Sequence, residues 1–252
     1  MLHAQIVLFA AAMQFLTRLP MPDTGWEEGR LARAQRYFPL VGALVGGVAG
    51  AVFWLGAQAL PPVIAAGLAL GAGMLLTGAL HEDGLADTMD ALGGDSSRDR
   101  ALEIMRDSRI GSYGALALIV SVGLRWSALA SLAPVTGALA LVIAGATGRM
   151  LMVPLSRVLP YAREDGAGRA VSQGGKGGEV PIAVATALAL GLAAGWLGLI
   201  ALGVAAVLTA MMAIWFARRI GGYTGDSLGA VEQVGEISVL LVFATAYTGV
   251  QP

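Results

Sequence analysis

The chain has 252 residues, 56% of them hydrophobic and only 13% Asp, Glu, Lys or Arg, with a formal net charge of −1 and a mean hydropathy of +0.72. An ordinary soluble domain carries roughly 25% charged residues, so this composition excludes that class and places the chain in a bilayer; the 36 glycines, many inside apolar runs, agree. The absence of cysteine excludes disulfides and thiolate metal sites, while the near-zero charge names no partner, and no nucleic acid is expected.

The N-terminus lacks a basic flank and a small-residue cleavage site, so no removable signal peptide is read. Residues 4–17 are a weak apolar segment, short enough to be re-entrant or tilted. A polar segment, 18–38, follows. Residues 39–59 and 63–80 are apolar runs of about the length needed to cross a bilayer, joined by Leu60-Pro61-Pro62.

Directly after the second run stands HEDGLADTMDALGG, His81 to Gly94, with four carboxylates in nine positions. A helix over 82–92 puts Asp83, Asp87 and Asp90 at i, i+4 and i+7 on one face, with Glu82 about 100° to the side. Like charges on one stripe repel, the more so beside lipid, and call for arginines, protonation or a metal ion. Oxygen donors without cysteine point to a hard cation, Mg²⁺ or Mn²⁺; the bland alternative is a solvated acidic helix start. His81 is as well explained by the interface as by ligation.

Next comes EIMRDSRIGSYG, Glu103 to Gly114. Glu103 and Asp107 are one turn apart, Arg106 and Arg109 lie alongside, and Ser108, Gly111 and Ser112 open the following span. Such a helix start suits phosphate as well as an ordinary capped loop. The apolar run 111–132 contains Arg125, read as snorkelling at the far face. The run 135–155 contains Arg149, which either snorkels or neutralises the acids. The glycine-rich 161–179 segment, with Arg163, Arg169 and Lys176, matches no phosphate-loop pattern; it reads as a mobile loop or linker. The long run 181–217 splits at Gly195-Trp196 into a helical hairpin. In RRIGGYTGDSLGAVEQVGE, 218–236, Arg218 and Arg219 read as membrane-flanking anchors. Asp226 precedes the last span, 229–249, in which Glu232 and Glu236 share a face and Glu236 is costly to bury alone.

Counting the hairpin as one segment, six strong apolar segments and one doubtful one predict an all-α, polytopic integral membrane helical bundle of six to seven transmembrane helices. Residues 1–252 form a single membrane-embedded catalytic domain. Of the 16 Lys and Arg, 14 fall in the polar segments 18–38, 81–110, 156–180 and 218–228, as do 15 of the 17 acids. The opposite connections carry no charge, so the charged side is assigned to the cytoplasm. Mg²⁺-holding carboxylates with arginines for phosphate oxygens fit phosphoryl or phosphodiester transfer; a transporter with an acidic cation mouth is the rival from another class.

HEDGLADTMDALGG, EIMRDSRIGSYG and GGYTGDSLGAVEQVGE, in this order, resemble the signature segments of bacterial cobalamin synthases, and the likeness extends over nearly the whole chain. The resemblance implies a multi-pass inner-membrane transferase of late cobalamin assembly, its site facing the cytoplasm. It would be Mg²⁺-dependent and would join adenosylcobinamide-GDP to α-ribazole or its 5′-phosphate, with release of GMP. It assigns Glu82, Asp83, Asp87 and Asp90 to the metal, with Asp83, Asp87, Asp226 and Glu232 in catalysis. Arg106, Asp107, Arg109, Arg149, Arg163 and Glu236 would bind substrate. Membrane lipid, a homo-oligomer and other cobalamin-pathway enzymes are the further partners it suggests. A CDP-alcohol phosphotransferase fits less well, because Asp87 stands where its DGxxAR pattern needs arginine.

Overall fold

A computed structural model describes residues 2–248 apart from 24, 26, 165, 173 and 176. In chain order the helices are α1 (Leu2–Leu16), α2 (Arg30–Ala34), α3 (Phe38–Gly56), α4 (Pro62–Thr77), α5 (Leu80–Leu92), α6 (Arg98–Ile104), α7 (Ser112–Ala130), α8 (Pro134–Val158), α9 (Ala167–Ser172), α10 (Glu179–Ala193), α11 (Gly195–Ile220) and α12 (Gly225–Thr248). A 3₁₀ turn, Gln35–Tyr37, links α2 to α3, and no strand occurs among the described residues.

The punctuation is local chemistry. Proline stands in the first turn of α3, α4 and α8, where its missing N–H has no helical partner to lose. Gly78 and Gly221 end α4 and α11 in the left-handed conformation, φ 68° and 73°, which glycine adopts without steric cost.

Among the described residues, five helices are long and apolar enough to cross a membrane: Arg30–Gly56, Ser112–Ala130, Pro134–Val158, Gly195–Ile220 and Gly225–Ala246; α4 and α5, bent by 88°, make a sixth if taken as one broken span. Two shorter apolar helices, α1 and α10, remain; α1 is the doubtful segment read as 4–17, and α10 is the first arm of the hairpin. The chain is a polytopic helical bundle with α8 at its centre, 78% of its apolar window enclosed by other elements.

Helix α3 lies flat on α8 because Gly42, Gly46 and Gly50 recur every four residues along the contact. A Cβ at Gly42 or Gly46 would collide with the carbonyl oxygens of Gly145 or Leu141. Small residues at this spacing let two backbones approach, and in a lipid solvent that close contact replaces the hydrophobic drive available in water.

The four polar segments meet. The Arg98 guanidinium donates to the Ile220 and Ala162 carbonyls at 3.0 and 3.2 Å. Tyr161 and Tyr223 form a short parallel bridge. Arg157 reaches the Ala32 carbonyl at 3.3 Å, and Arg36 pairs with buried Glu179 at 3.2 Å. Arg219 is no free anchor: it donates to the Leu92, Gly94 and Ser96 carbonyls at 2.8–3.4 Å, closing the C-terminal end of α5. The charged segments therefore form one polar end of the bundle.

Candidate active site

Helix α5 carries the acids, and its entry is strained. After Gly78 comes Ala79 at φ 57°, the one non-glycine residue with positive φ among those described. A left-handed alanine costs about 1–2 kcal/mol. The two left-handed residues turn the chain through 88° and send α5 between α7 and α12. Gly84 and Gly229 make the α5–α12 crossing close: their Cα atoms are near enough that a Cβ on either would stand 3.2 Å from the other's Cα.

The four carboxylates of α5 have three different fates. Glu82 is buried and accepts from Arg125 at 3.0 Å and from the Gln233 amide at 3.3 Å. Asp90 accepts from the backbone N–H groups of Gly111 and Gly114 at 2.7 and 2.8 Å. It therefore caps α7, occupying the helix start that the sequence reading offers to a phosphate; Gly111 and Gly114 are needed because a Cβ on either would strike the Asp90 carboxylate. Asp83 is exposed and Asp87 half-buried, and neither side chain has a hydrogen bond or ion pair among the described residues. Both line a cavity of about 640 Å³.

The same cavity is lined by Phe15, Thr17 and Arg18, from the end of α1 and the residues after it, together with Ser108 and Ile110 before α7. Arg18 went unnamed in the reading of the sequence. It sits in a polar stretch far from the acids in the chain, and no spacing rule joins them. The charges of Asp83, Asp226 and Asp90 all bear on Asp87. Asp226, in the first turn of α12, is held by Arg163 at 2.8 Å and by the Thr224 hydroxyl at 3.3 Å.

A second constellation lies deeper. Arg149, 1% exposed, meets Glu232 at 2.5 Å, Glu236 at 3.2 Å and His81 Nδ1 at 3.4 Å. Arg125 bridges Glu82 and Glu236, each at 3.0 Å. Ser121 joins through Gln233 at 3.1 Å. The snorkelling expected of Arg125 is thus corrected: a guanidinium facing two carboxylates within the bundle gains more than one stretched toward headgroups. For Arg149 the pairing alternative holds, but its acids are Glu232 and Glu236 rather than the aspartates of α5. With Glu82 these groups line a separate cavity of about 30 Å³ beside α3 and α4. Glu232, Glu236 and Arg149, which the resemblance assigns to catalysis and substrate binding, meet in this buried network joining α5, α7, α8 and α12.

The α6–α7 loop is more open. Asp107 and Arg109 pair at 2.5 Å at the surface, and the hydrogen bonds from Arg109 hold the Asp107 carboxyl down at about 2. Arg106 is exposed. Glu103 pairs with Arg100 at 2.7 Å, away from the acids of α5. Arg169 is exposed and donates to the Glu164 carbonyl, and Lys176 lies outside the described residues.

Among the described residues, no group of three or more His, Cys, Asp or Glu side chains converges on one point as a ready-made metal cage. Three acids line the mouth, Glu82, Asp83 and Asp87; Glu82 is taken up by Arg125, which leaves the pair Asp83 and Asp87. Mg²⁺ is ordinarily held by one or two carboxylates with waters and substrate phosphates completing an octahedron, and the donor set fits that mode.

The sequence model of the family described as Cobalamin-5-phosphate synthase matches residues 8–244. A Leptothrix cholodnii protein called adenosylcobinamide-GDP ribazoletransferase is 47% identical over 247 residues, 93% of both chains. Proteins of the same description from Bradyrhizobium diazoefficiens and Shewanella baltica are 46% and 42% identical, over 94% and 93% of this chain and 93% and 92% of theirs. No solved structure matches.

Proposed function

The chain belongs to the cobalamin-5-phosphate synthase family, and on that premise we propose that it joins adenosylcobinamide-GDP to α-ribazole or α-ribazole 5′-phosphate, releasing GMP. The observation that carries this reading is the pair Asp83 and Asp87, which have no hydrogen-bond or ion-pair partner among the described residues, in a cavity of about 640 Å³ at the polar end of a membrane bundle. A diphosphate substrate brings the negative oxygens, and the two aspartates would hold the Mg²⁺ that travels with it. When bound, the ion neutralises the diphosphate and eases departure of its GMP half.

The bonds balance without any further reactant. A ribose hydroxyl of α-ribazole attacks the phosphorus on the corrinoid's aminopropanol arm. The new P–O bond forms as the bond to the GMP phosphate breaks. The hydroxyl proton passes to a carboxylate of the mouth, Asp83 or Asp87, with the Asp226 charge bearing on Asp87. Arg163 holds Asp226 in place at 2.8 Å, and Arg106 and Arg109 lie on the loop that rims the opening. The membrane in this reading is the bacterial inner membrane, with the mouth toward the cytoplasm, the side on which basic loops are retained.

The test is Mg²⁺-dependent GMP release from a GDP-linked corrinoid by the purified chain. Asp83→Asn is expected to lower turnover by about a hundredfold or more, by analogy with loss of a positioned charged group, while the protein still inserts and unfolds at the wild-type temperature. Near-normal turnover in that variant removes the metal assignment.

A further inference from the structure

We propose that Arg18 holds the diphosphate of the activated substrate, as the cationic group in the lining of the cavity that Asp83 and Asp87 also line. The inference rests on the phosphodiester-transfer reading above and adds to it a residue from the opposite end of the chain.

Three observations converge on Arg18. It is the one arginine among the described residues lining that cavity. It is exposed there, and its side chain has no hydrogen bond or ion pair among the described residues, whereas Arg163 and Arg109 on the same polar end are already paired with Asp226 and Asp107. Its position is also fixed from both sides. The Arg18 N–H donates to the Leu76 carbonyl at 2.7 Å, docking the segment on the end of α4. Thr17 ties the same turn back to Met13 at 2.7 Å. The guanidinium lies over Gly78, where any Cβ would collide with its Nε and Cδ. The residue that turns the chain into α5 is therefore also the seat of Arg18.

Charge decides what fits. A bare phosphate would meet the guanidinium but be repelled by two carboxylates. A bare divalent cation would satisfy the carboxylates and leave the guanidinium unmatched. A diphosphate carrying its own Mg²⁺ satisfies both kinds of group: the metal meets Asp83 and Asp87, and phosphate oxygens meet the planar fork of Arg18, whose geometry suits two oxygens at once.

The experiment uses the purified full-length chain and Mg²⁺–pyrophosphate, titrated by calorimetry without any corrinoid. Arg18→Ala is expected to weaken binding about tenfold or more, the scale of a lost charge-assisted hydrogen bond. The KM for the GDP-linked corrinoid should rise in step while that for α-ribazole is unchanged. Arg18→Gln, which keeps a polar side chain without the charge, should show the same loss and covers the case in which the alanine variant does not fold. Unchanged Mg²⁺–pyrophosphate affinity in a folded variant overturns the proposal, as does a wild-type chain that does not bind this probe. A chain that binds the probe through Arg18 yet releases no GMP overturns the reaction instead and leaves the assignment of Arg18 standing.

Discussion

Glu82 and Asp83 are chain neighbours with opposite surroundings, and the difference comes from the roughly 100° between successive side chains on a helix. Both border the cavity of about 640 Å³, but Glu82 turns inward and is taken up by Arg125, whereas Asp83 is exposed. Arg125 is the link that makes this possible, because it spans two carboxylates on two helices at 3.0 Å each. Removing one partner of a buried ion pair leaves its charges uncompensated, at a cost of about 3–5 kcal/mol. Arg125→Leu is therefore expected to lose most of its folded yield in detergent. Arg125→Lys should fall between, since an ammonium supplies the charge but not a rigid fork. Thermal unfolding of the three proteins measures the order; a leucine variant as stable as wild type would show that the network contributes nothing. The pairing itself was not legible in the sequence. Arg125 stands alone in an apolar run, and only the rotation of α7 against α5 and α12 decides between lipid headgroups and carboxylates.

Helix identities, by contrast, were legible, because apolar runs of bilayer length with proline starts and glycine stops specify them locally. The run read as 135–155 is Pro134–Val158, and the hairpin at Gly195 is present. The last helix begins earlier than its apolar pattern, at Gly225, because Asp226 and Ser227 fit the polar first turn of a helix that hydropathy does not register. The 88° turn at Gly78-Ala79 was also hidden, since alanine gives no sign of a left-handed conformation. What the pattern does offer at element scale is the four-residue glycine repeat of α3. Gly46→Leu drives a branched side chain into the Leu141 carbonyl, so α3 must lift from α8. Overpacking of this kind costs about 1–3 kcal/mol, while Gly47→Leu, where a Cβ meets nothing within 4 Å, should be silent. Comparing the unfolding temperatures of the two variants separates a packing effect from a change in helix propensity, and equal values would refute the tight α3–α8 seam.

At the scale of the whole molecule, the decisive property is that charge and chemistry share one end. Twenty-five residues of α8 span about 37 Å at 1.5 Å each, enough to separate two aqueous faces, and contacts among the four polar segments bring the charged connections together at one of them. Basic residues in short loops are generally retained on the cytoplasmic side, so the proposed cytoplasmic orientation makes a prediction about the charged end. Orientation is directly measurable here because the chain has no cysteine, and a single introduced thiol reports its own location. Glu28→Cys and Asp95→Cys lie on the charged side, Gln58→Cys and Trp196→Cys on the other, all at exposed positions. A membrane-impermeant maleimide should label the first two only in inverted inner-membrane vesicles and the last two only from outside intact cells. The reversed pattern would place the carboxylates and Arg18 on the wrong side of the membrane for a GDP-activated substrate, and the proposed reaction would then have to be abandoned even if the purified chain bound Mg²⁺–pyrophosphate.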